Sequence, residues 1–389
     1  MVYETWHALA AGAPAADTVE YPLYTDAHLV GEVAFGPYEL LNAAAGSDHE
    51  GRVPAAFLRV THHMPETDAF DMSTTDDERH HGGSFENELA ALLALCCGIR
   101  LFAGGFTRWF RAGGDPRGRP FTRGNRGGSA DPPSLLRTRH HGLVLPALRG
   151  ERQLNGVSLV AAFALLQAND ASAVVRVARL YQDAVWLAES QPELAWLLLV
   201  SAVETAANHE QPADDPPEER LRAWRPQLAE LLADAGGGDL LAQVAEHVAP
   251  AAGSTGKFIR FLLNFAPDPP TVRPPAHAQV PWSKSKRRAV FSKIYEYRSR
   301  ALHRGKPFPT PMGYPPHRWE DGSLSERPEG LAAGVYGSVW MAEDIPMLLH
   351  TFEHIARQAL LNWWHGLLPP ADVSTPPDLH AAAARGAPT

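Results

Sequence analysis

Residues Glu193 to about His209 most restrict what this chain can become. The run ELAWLLLVSAVETAANH carries Leu194, Trp196, Leu197, Leu198, Leu199, Val200 and Val203, apolar residues placed nearly all round a helix. A helix with no polar face has to be surrounded, so it is expected at the centre of a helical domain. Each leucine buried there contributes roughly 1.5–3 kcal/mol before entropy is counted. Ser190, Pro192 and Glu193 form a helix-start pattern, with Ser190 and Glu193 as a capping box. The preceding stretch predicts a helix capped by Asp170, with Val174, Val177, Ala178, Tyr181, Ala184, Val185 and Ala188 on one face. A last helix from about Asp344 and Pro346 carries Ile345, Leu348, Leu349, Phe352, Ile355, Ala359 and Trp363 on one face.

Before residue 150 the pattern differs. Tyr21–Val33 and Ala56–His62 read as strands, and a helix is expected from Ser84 through Leu89, Leu92, Leu93, Cys96 and Ile99. Residues 71–84 read as a polar loop, and 107–128 as a Gly- and Arg-rich loop or ordered basic lip. His140–Leu145 is a possible strand that Pro146 ends. Short helices are expected at about 219–234 and 239–248 and at Lys257–Phe265, and long Pro-rich loops at 267–281 and 306–335. The fold class is therefore mainly α, with an α+β domain over 1–150, a helical domain over 151–368 and a disordered Ala/Pro tail over 369–389.

Net charge is −9 with a pI near 6.0, which gives no general affinity for nucleic acid. The charge is local instead: Lys284 to Lys306 holds nine Lys or Arg against one acid, Glu296. Only two cysteines occur, Cys96 and Cys97, and adjacent cysteines in a helix suit neither a disulfide nor a zinc site. The first residues lack the basic and long apolar parts of a signal peptide, and the longest apolar runs are too short for a bilayer. A soluble cytoplasmic protein with no membrane association is expected, and the Ala, Arg, Gly and Pro richness suits a high-GC bacterial genome.

The basic stretch SKSKRRAVFSKIYEYRSRALHRG, Ser283 to Gly305, reads as one helix stopped by its glycine. Phe291, Ile294, Tyr295 and Leu302 fall on one stripe, and Arg298 lies on it too. A guanidinium on a buried face needs a partner, and Glu204, seven residues after Leu197 on the central helix, is the candidate. Arg298 with His303 at the helix end is also a set that metal-free RNA cleavage would use. Histidine acts as general acid or base and arginine grips phosphate oxygens. Residues five apart point about 140° from each other, so the two converge only if the helix ends between them or a second subunit completes the site. Lys284, Lys286, Arg287 and Arg288 would track an RNA backbone or simply form a solvated helix start.

The helix pair over 170–209, the basic helix ending in Arg298-Ser299-Arg300-Ala301-Leu302-His303, the loop and the last helix together resemble the HEPN superfamily, most of all its bacterial Apea-like group. The hallmark of that superfamily is an Arg, often followed by a polar residue, then a short spacer and a His. Arg298, Ser299 and His303 match it with four residues between Arg and His. The resemblance covers about 151–368 and implies a helical bundle that dimerises and joins two Arg/His pairs in one cleft. It implies a metal-independent endoribonuclease of a defence or toxin-like system, needing no cofactor. His303 would be acid/base, Arg298 would stabilise the phosphate and Ser299 would accompany them, with Arg300 and Arg304 among the RNA contacts. RNA, a second copy and a regulatory protein or antitoxin are the expected partners. The alternative within the family is an inactive module that binds RNA or a protein.

Other signals are weaker. Gly253-Ser254-Thr255-Gly256-Lys257 suggests a phosphate loop, but Ala251 and Phe258 break the pattern and an ordinary helix start is preferred. The pairs His62-His63, His80-His81 and His140-His141 lack metal-ligand spacing. Trp109, Phe110 and Phe121 among the arginines of 108–126 could stack bases, although a plain surface loop is preferred.

Overall fold

The computed structural model describes residues 1–43, 53–63, 83–121, 142–154, 157–210 and 216–370. It combines a helical majority with a small antiparallel sheet, a mixed α+β architecture. The chain falls into two compact units. One takes residues up to 137, 145–190 and those from 364 on, and the other takes 138–144 and 191–363.

The first unit holds α1 (Val2–Ala10), β1 (Ala15–Tyr24), β2 (His28–Val30), β3 (Val33–Phe35), β4 (Tyr38–Asn42) and β5 (Ala56–His63). It continues with α2 (Phe85–Cys97), β6 (Phe102–Ala103), β7 (Arg108–Phe110), β8 (Arg119–Pro120), β9 (Glu151–Gln153), α3 (Ser158–Ala161) and α4 (Ala168–Leu187). The main sheet runs β3-β4-β5-β1-β7-β8, with β6 also on β1. Its register sorts residues by face. Val60 sits opposite both Val19 and Tyr38, and Leu58 opposite Tyr21 and Leu40. Tyr38, Leu40, Leu58 and Val60 are fully buried, and Phe85 of α2 packs on the Tyr38 ring. On the other face the register lines up Glu39, Arg59, Glu20 and Arg108, alternating charges bonded strand to strand at 3.0, 2.7 and 3.7 Å. An antiparallel sheet with one packed and one solvated face needs this division of residues.

α4 packs on α2 with the face expected of it: Val174, Val177, Ala178, Tyr181, Ala184, Val185 and Ala188 are all buried. That packing places the division of the chain at Ser190/Gln191 rather than near residue 150. Gly98, left-handed at φ 63°, ends α2 and carries the chain to Arg100. Arg100 is wholly buried and pairs with Asp26 at 2.9 Å and with Glu189, while its Nε donates to the Val185 carbonyl at 3.0 Å. A buried guanidinium is tolerated only with such a full set of partners.

The second unit holds α5 (Pro192–Glu210), α6 (Pro217–Trp224), α7 (Pro226–Phe265), α8 (Lys284–Arg304), β10 (Ala332–Val335), β11 (Ser338–Met341) and most of α9 (Leu349–Leu367). In α5, Trp196 is sandwiched between Phe308 (5.3 Å) and Phe352 (4.7 Å), and its Nε1 donates to the Met312 carbonyl at 3.3 Å. Pro192 opens the helix as expected, but Ser190 is no cap. Its hydroxyl donates to the Leu187 carbonyl, and the Gln191 carbonyl receives the first amides of α5. Leu194 is exposed and Leu197 and Leu198 half-buried, so the helix is less enclosed than its composition suggests. α6 and α7 take the place of the three expected helices: the first is divided at Arg225, the other two are joined, and α7 itself breaks only at Gly237, whose φ of 69° no helix accepts. The expected apolar face of the last helix is fully buried, though α9 itself begins at Leu349. No helix among the described residues is long and apolar enough to cross a membrane. Of the remaining expectations, the 71–82 part of the polar loop, His140 and His141, and the tail from 371 lie outside the described residues.

Candidate functional site

α8 is built as the sequence requires. Phe291, Ile294, Tyr295 and Tyr297 are buried, and Gly305, left-handed at φ 62°, ends the helix and lets the Lys306 amide donate to the Arg300 carbonyl at 3.3 Å. Leu302 departs from expectation: it is 53% exposed, because the helix emerges from its neighbours in its last turn.

Arg298 meets the carboxylate expected for it. Its Nη2 lies 2.6 Å from Glu204 Oε2, and the Tyr295 hydroxyl donates to Glu204 Oε1 at 2.8 Å. The guanidinium also stands 5.6 Å over the Tyr295 ring, and its Nε is buried without a hydrogen-bond partner among the described residues. Arg298 is 21% exposed and Glu204 12%. Burial, and then the Glu204 charge, push the Tyr295 hydroxyl up to about 12, so it stays protonated and keeps donating. Glu204, Tyr295 and Arg298 thus form one charge-assisted cluster that ties α5 to α8.

His303 stands outside that cluster. It is exposed and makes no hydrogen bond, ion pair or ring contact among the described residues. The helix runs on through His303 to Arg304, so it does not end between Arg298 and His303. Five helical steps turn the side chains about 140° apart. Within one chain the pair therefore does not converge, and only a second chain could complete a joint site. Ser299 is half-buried, and Arg304 is exposed beside His303. Arg300 faces Glu296 at 3.9 Å and the Tyr297 ring at 5.3 Å.

The basic start of α8 is a separate place. Lys284, Lys286 and Arg288 are exposed, whereas Arg287 stacks on Trp282 at 5.7 Å and reaches the Pro267 carbonyl at 3.5 Å. Nineteen residues separate Lys284 from His303, roughly 28 Å along the helix. Trp282 has Arg273 on it as well, and Arg273 grips Glu326 at 2.6 and 2.7 Å. Glu326 also accepts the Val280 amide at 2.6 Å. This hub fixes the Pro-rich segment ahead of α8. Sequence reading missed it because its members lie 53 residues apart with no periodic signal.

The set-aside signals resolve simply. Gly253–Lys257 lies inside α7, with no strand before it and no helix start at it. His62 packs on Phe85 and His63 on the Ala13 carbonyl, and no His, Cys, Asp or Glu cluster able to hold a metal occurs among the described residues. Neither Cys96 nor Cys97 forms a disulfide among the described residues. The Arg-rich 107–121 segment is not a bare loop but β7 and β8, the end of the sheet, where Arg117 and Arg119 both pair with Asp115.

No protein-family model, curated protein or solved structure matches this chain.

Proposed function

We propose that this chain is a metal-independent endoribonuclease of a bacterial defence or toxin-like system, with its HEPN-like helical bundle active as a homodimer. The observation that carries the reading is His303. It stands exposed, and unbonded among the described residues, at the end of a basic helix, next to Arg304 and one turn from Arg300. In such cleavage the ribose 2′-hydroxyl attacks phosphorus and the 5′-oxygen leaves, giving a 2′,3′-cyclic phosphate and a 5′-hydroxyl. One imidazole takes the 2′ proton and a second, from the other protomer, returns one to the leaving oxygen. Arg298 stabilises the phosphate charge, and Ser299 lies beside it.

A second reading is favoured by one observation, the Glu204–Arg298 pair at 2.6 Å. An arginine already neutralised by a carboxylate is less free to bind phosphate. On that reading the module binds RNA or a partner protein, such as an antitoxin, without cutting. Incubation of the purified chain with RNA, with and without EDTA, separates the two. Cleavage that survives EDTA and falls at least about 100-fold in His303→Ala supports the nuclease. No cleavage under either condition leaves the binding module, and full activity in His303→Ala removes the assignment.

A further inference from the structure

The strands β10 and β11 form a hairpin whose one face, with Ala333, Val335 and Trp340, is half-buried and whose other face is open. From Leu331 to Ala342 the sequence LAAGVYGSVWMA holds no charged residue in its 12 positions. Tyr336 and Gly337 make the turn, both at positive φ (49° and 79°), the geometry of a tight two-residue hairpin. Leu331 is 85% exposed, Tyr336 98%, Val339 71% and Met341 47%. The register sets Gly334 opposite Val339 and Ala332 opposite Met341, and all four are exposed on one face. The root is held rigidly. Lys293 of α8 bonds Asp344 at 2.8 Å, the Tyr297 hydroxyl donates to the Asp344 carbonyl at 2.7 Å, and Arg327 reaches the Ala342 carbonyl at 3.0 Å.

The backbone is as open as the side chains. In a two-residue hairpin the pair flanking the turn, Val335 and Ser338, is mutually bonded, and bonding alternates from there. The amide and carbonyl groups of Val339 and Met341 therefore point away from β10, and β11 has no other neighbour in its two-stranded sheet. An uncharged, exposed edge is a template for another strand.

We infer that β11 is a self-pairing edge: β11 of one chain adds antiparallel to β11 of a second copy, making a four-stranded sheet centred on Trp340. Twofold pairing about Trp340 sets Val339 opposite Met341 of the second copy and the reverse, so each outward amide meets an outward carbonyl. The same register sets Glu343 opposite the uncharged turn of the second copy, so no like charges meet. A lipid surface fits less well, because the exposed residues flanking the hairpin are Glu329 and Glu343, and anionic bilayers select basic flanks. The inference names the surface for the twofold assembly in the proposed function and rests on that reading only for why pairing would matter.

Val339→Pro tests it in the full chain. Proline removes an amide that makes no bond within the hairpin, so the fold, read by circular dichroism and melting temperature, should not change. In analytical ultracentrifugation the wild-type chain should be dimeric at micromolar concentration, and the variant should dissociate at least about tenfold more readily. Trp340→Cys should cross-link to itself on mild oxidation, since opposed residues of a non-bonded pair lie about 4.5 Å apart, whereas the oxidised wild-type chain should not. A monomeric wild type, a dimer unchanged by Val339→Pro, or a monomer that instead sediments with phosphatidylserine vesicles through Val339 would each overturn the inference. If Val339→Pro unfolds, the cysteine cross-link decides alone. RNA cleavage is not part of this readout. A dimer paired at β11 that cuts no RNA would remove the nuclease and leave the interface, and a cutting dimer indifferent to Val339→Pro would do the opposite.

Discussion

At the scale of single residues, the Glu204 carboxylate carries most of the electrostatics around α8. It holds Arg298 and the Tyr295 hydroxyl at once. Glu204→Ala would leave a mostly buried guanidinium facing a tyrosine with no anion, and a loss of about 2–4 kcal/mol is expected in urea unfolding. Glu204→Gln should lose less, since the amide oxygen still accepts from one donor. His350 offers a second test. Its Nε2 sits 2.7 Å from the Ser325 carbonyl, and burial pulls its pKa down to about 4 despite that bond and the nearby Glu326. The folded state thus resists the proton that the unfolded chain takes up below about 6.5. Stability from this group is complete above pH 6.5 and is lost as pH falls toward 4, on the order of 3 kcal/mol in all. Urea midpoints between pH 7 and pH 4.5 should fall accordingly, and less steeply in His350→Asn. Histidine 354, also held low by burial, titrates in the same direction.

At the scale of elements, some of the chain was legible beforehand. The faces of α4 and α9 were readable because each repeats apolar residues at helical spacing and each buries that stripe completely. The Arg298–Glu204 contact was readable because a charge on a buried stripe must find a counter-charge, and only one acid stood at the right height on the neighbouring helix. The misreadings share a cause. Leu302 continues the stripe of α8, but period alone does not say where a helix leaves its neighbours. β7 and β8 are two or three residues each amid glycine and arginine, too short to show alternation. The β10–β11 hairpin turns on Tyr-Gly, a weaker signal than Asn-Gly, and sat within a stretch read as loop up to 335. Ser190 looked like a cap, yet its hydroxyl goes backward to the end of α4 because Gln191 already begins α5. His303 was legible as an exposed helix-end residue, but its failure to meet Arg298 depended on the helix continuing through to Arg304.

At the scale of the molecule, the charge is distributed unevenly. A chain of net charge −9 keeps nine cations within one helix and its margin, so any RNA contact there is a local electrostatic event in a repelling field. Binding measured by fluorescence anisotropy should weaken steeply with salt, and Lys284, Lys286 and Arg288 changed together to Ala should reduce the slope by about 2, at roughly 0.7 per phosphate contact on single strands. An unchanged slope would move the RNA path away from the start of α8. The break at Gly237 has a different consequence. Leu221, Ala229, Leu241 and Ala245 make a small core of their own, shared between α6 and the two arms of α7 around that glycine. The protection of their amides is set by that four-residue core and not by the Trp196 sandwich. This corner can therefore breathe as a private cooperative segment, opening and reclosing while the aromatic stack keeps its order.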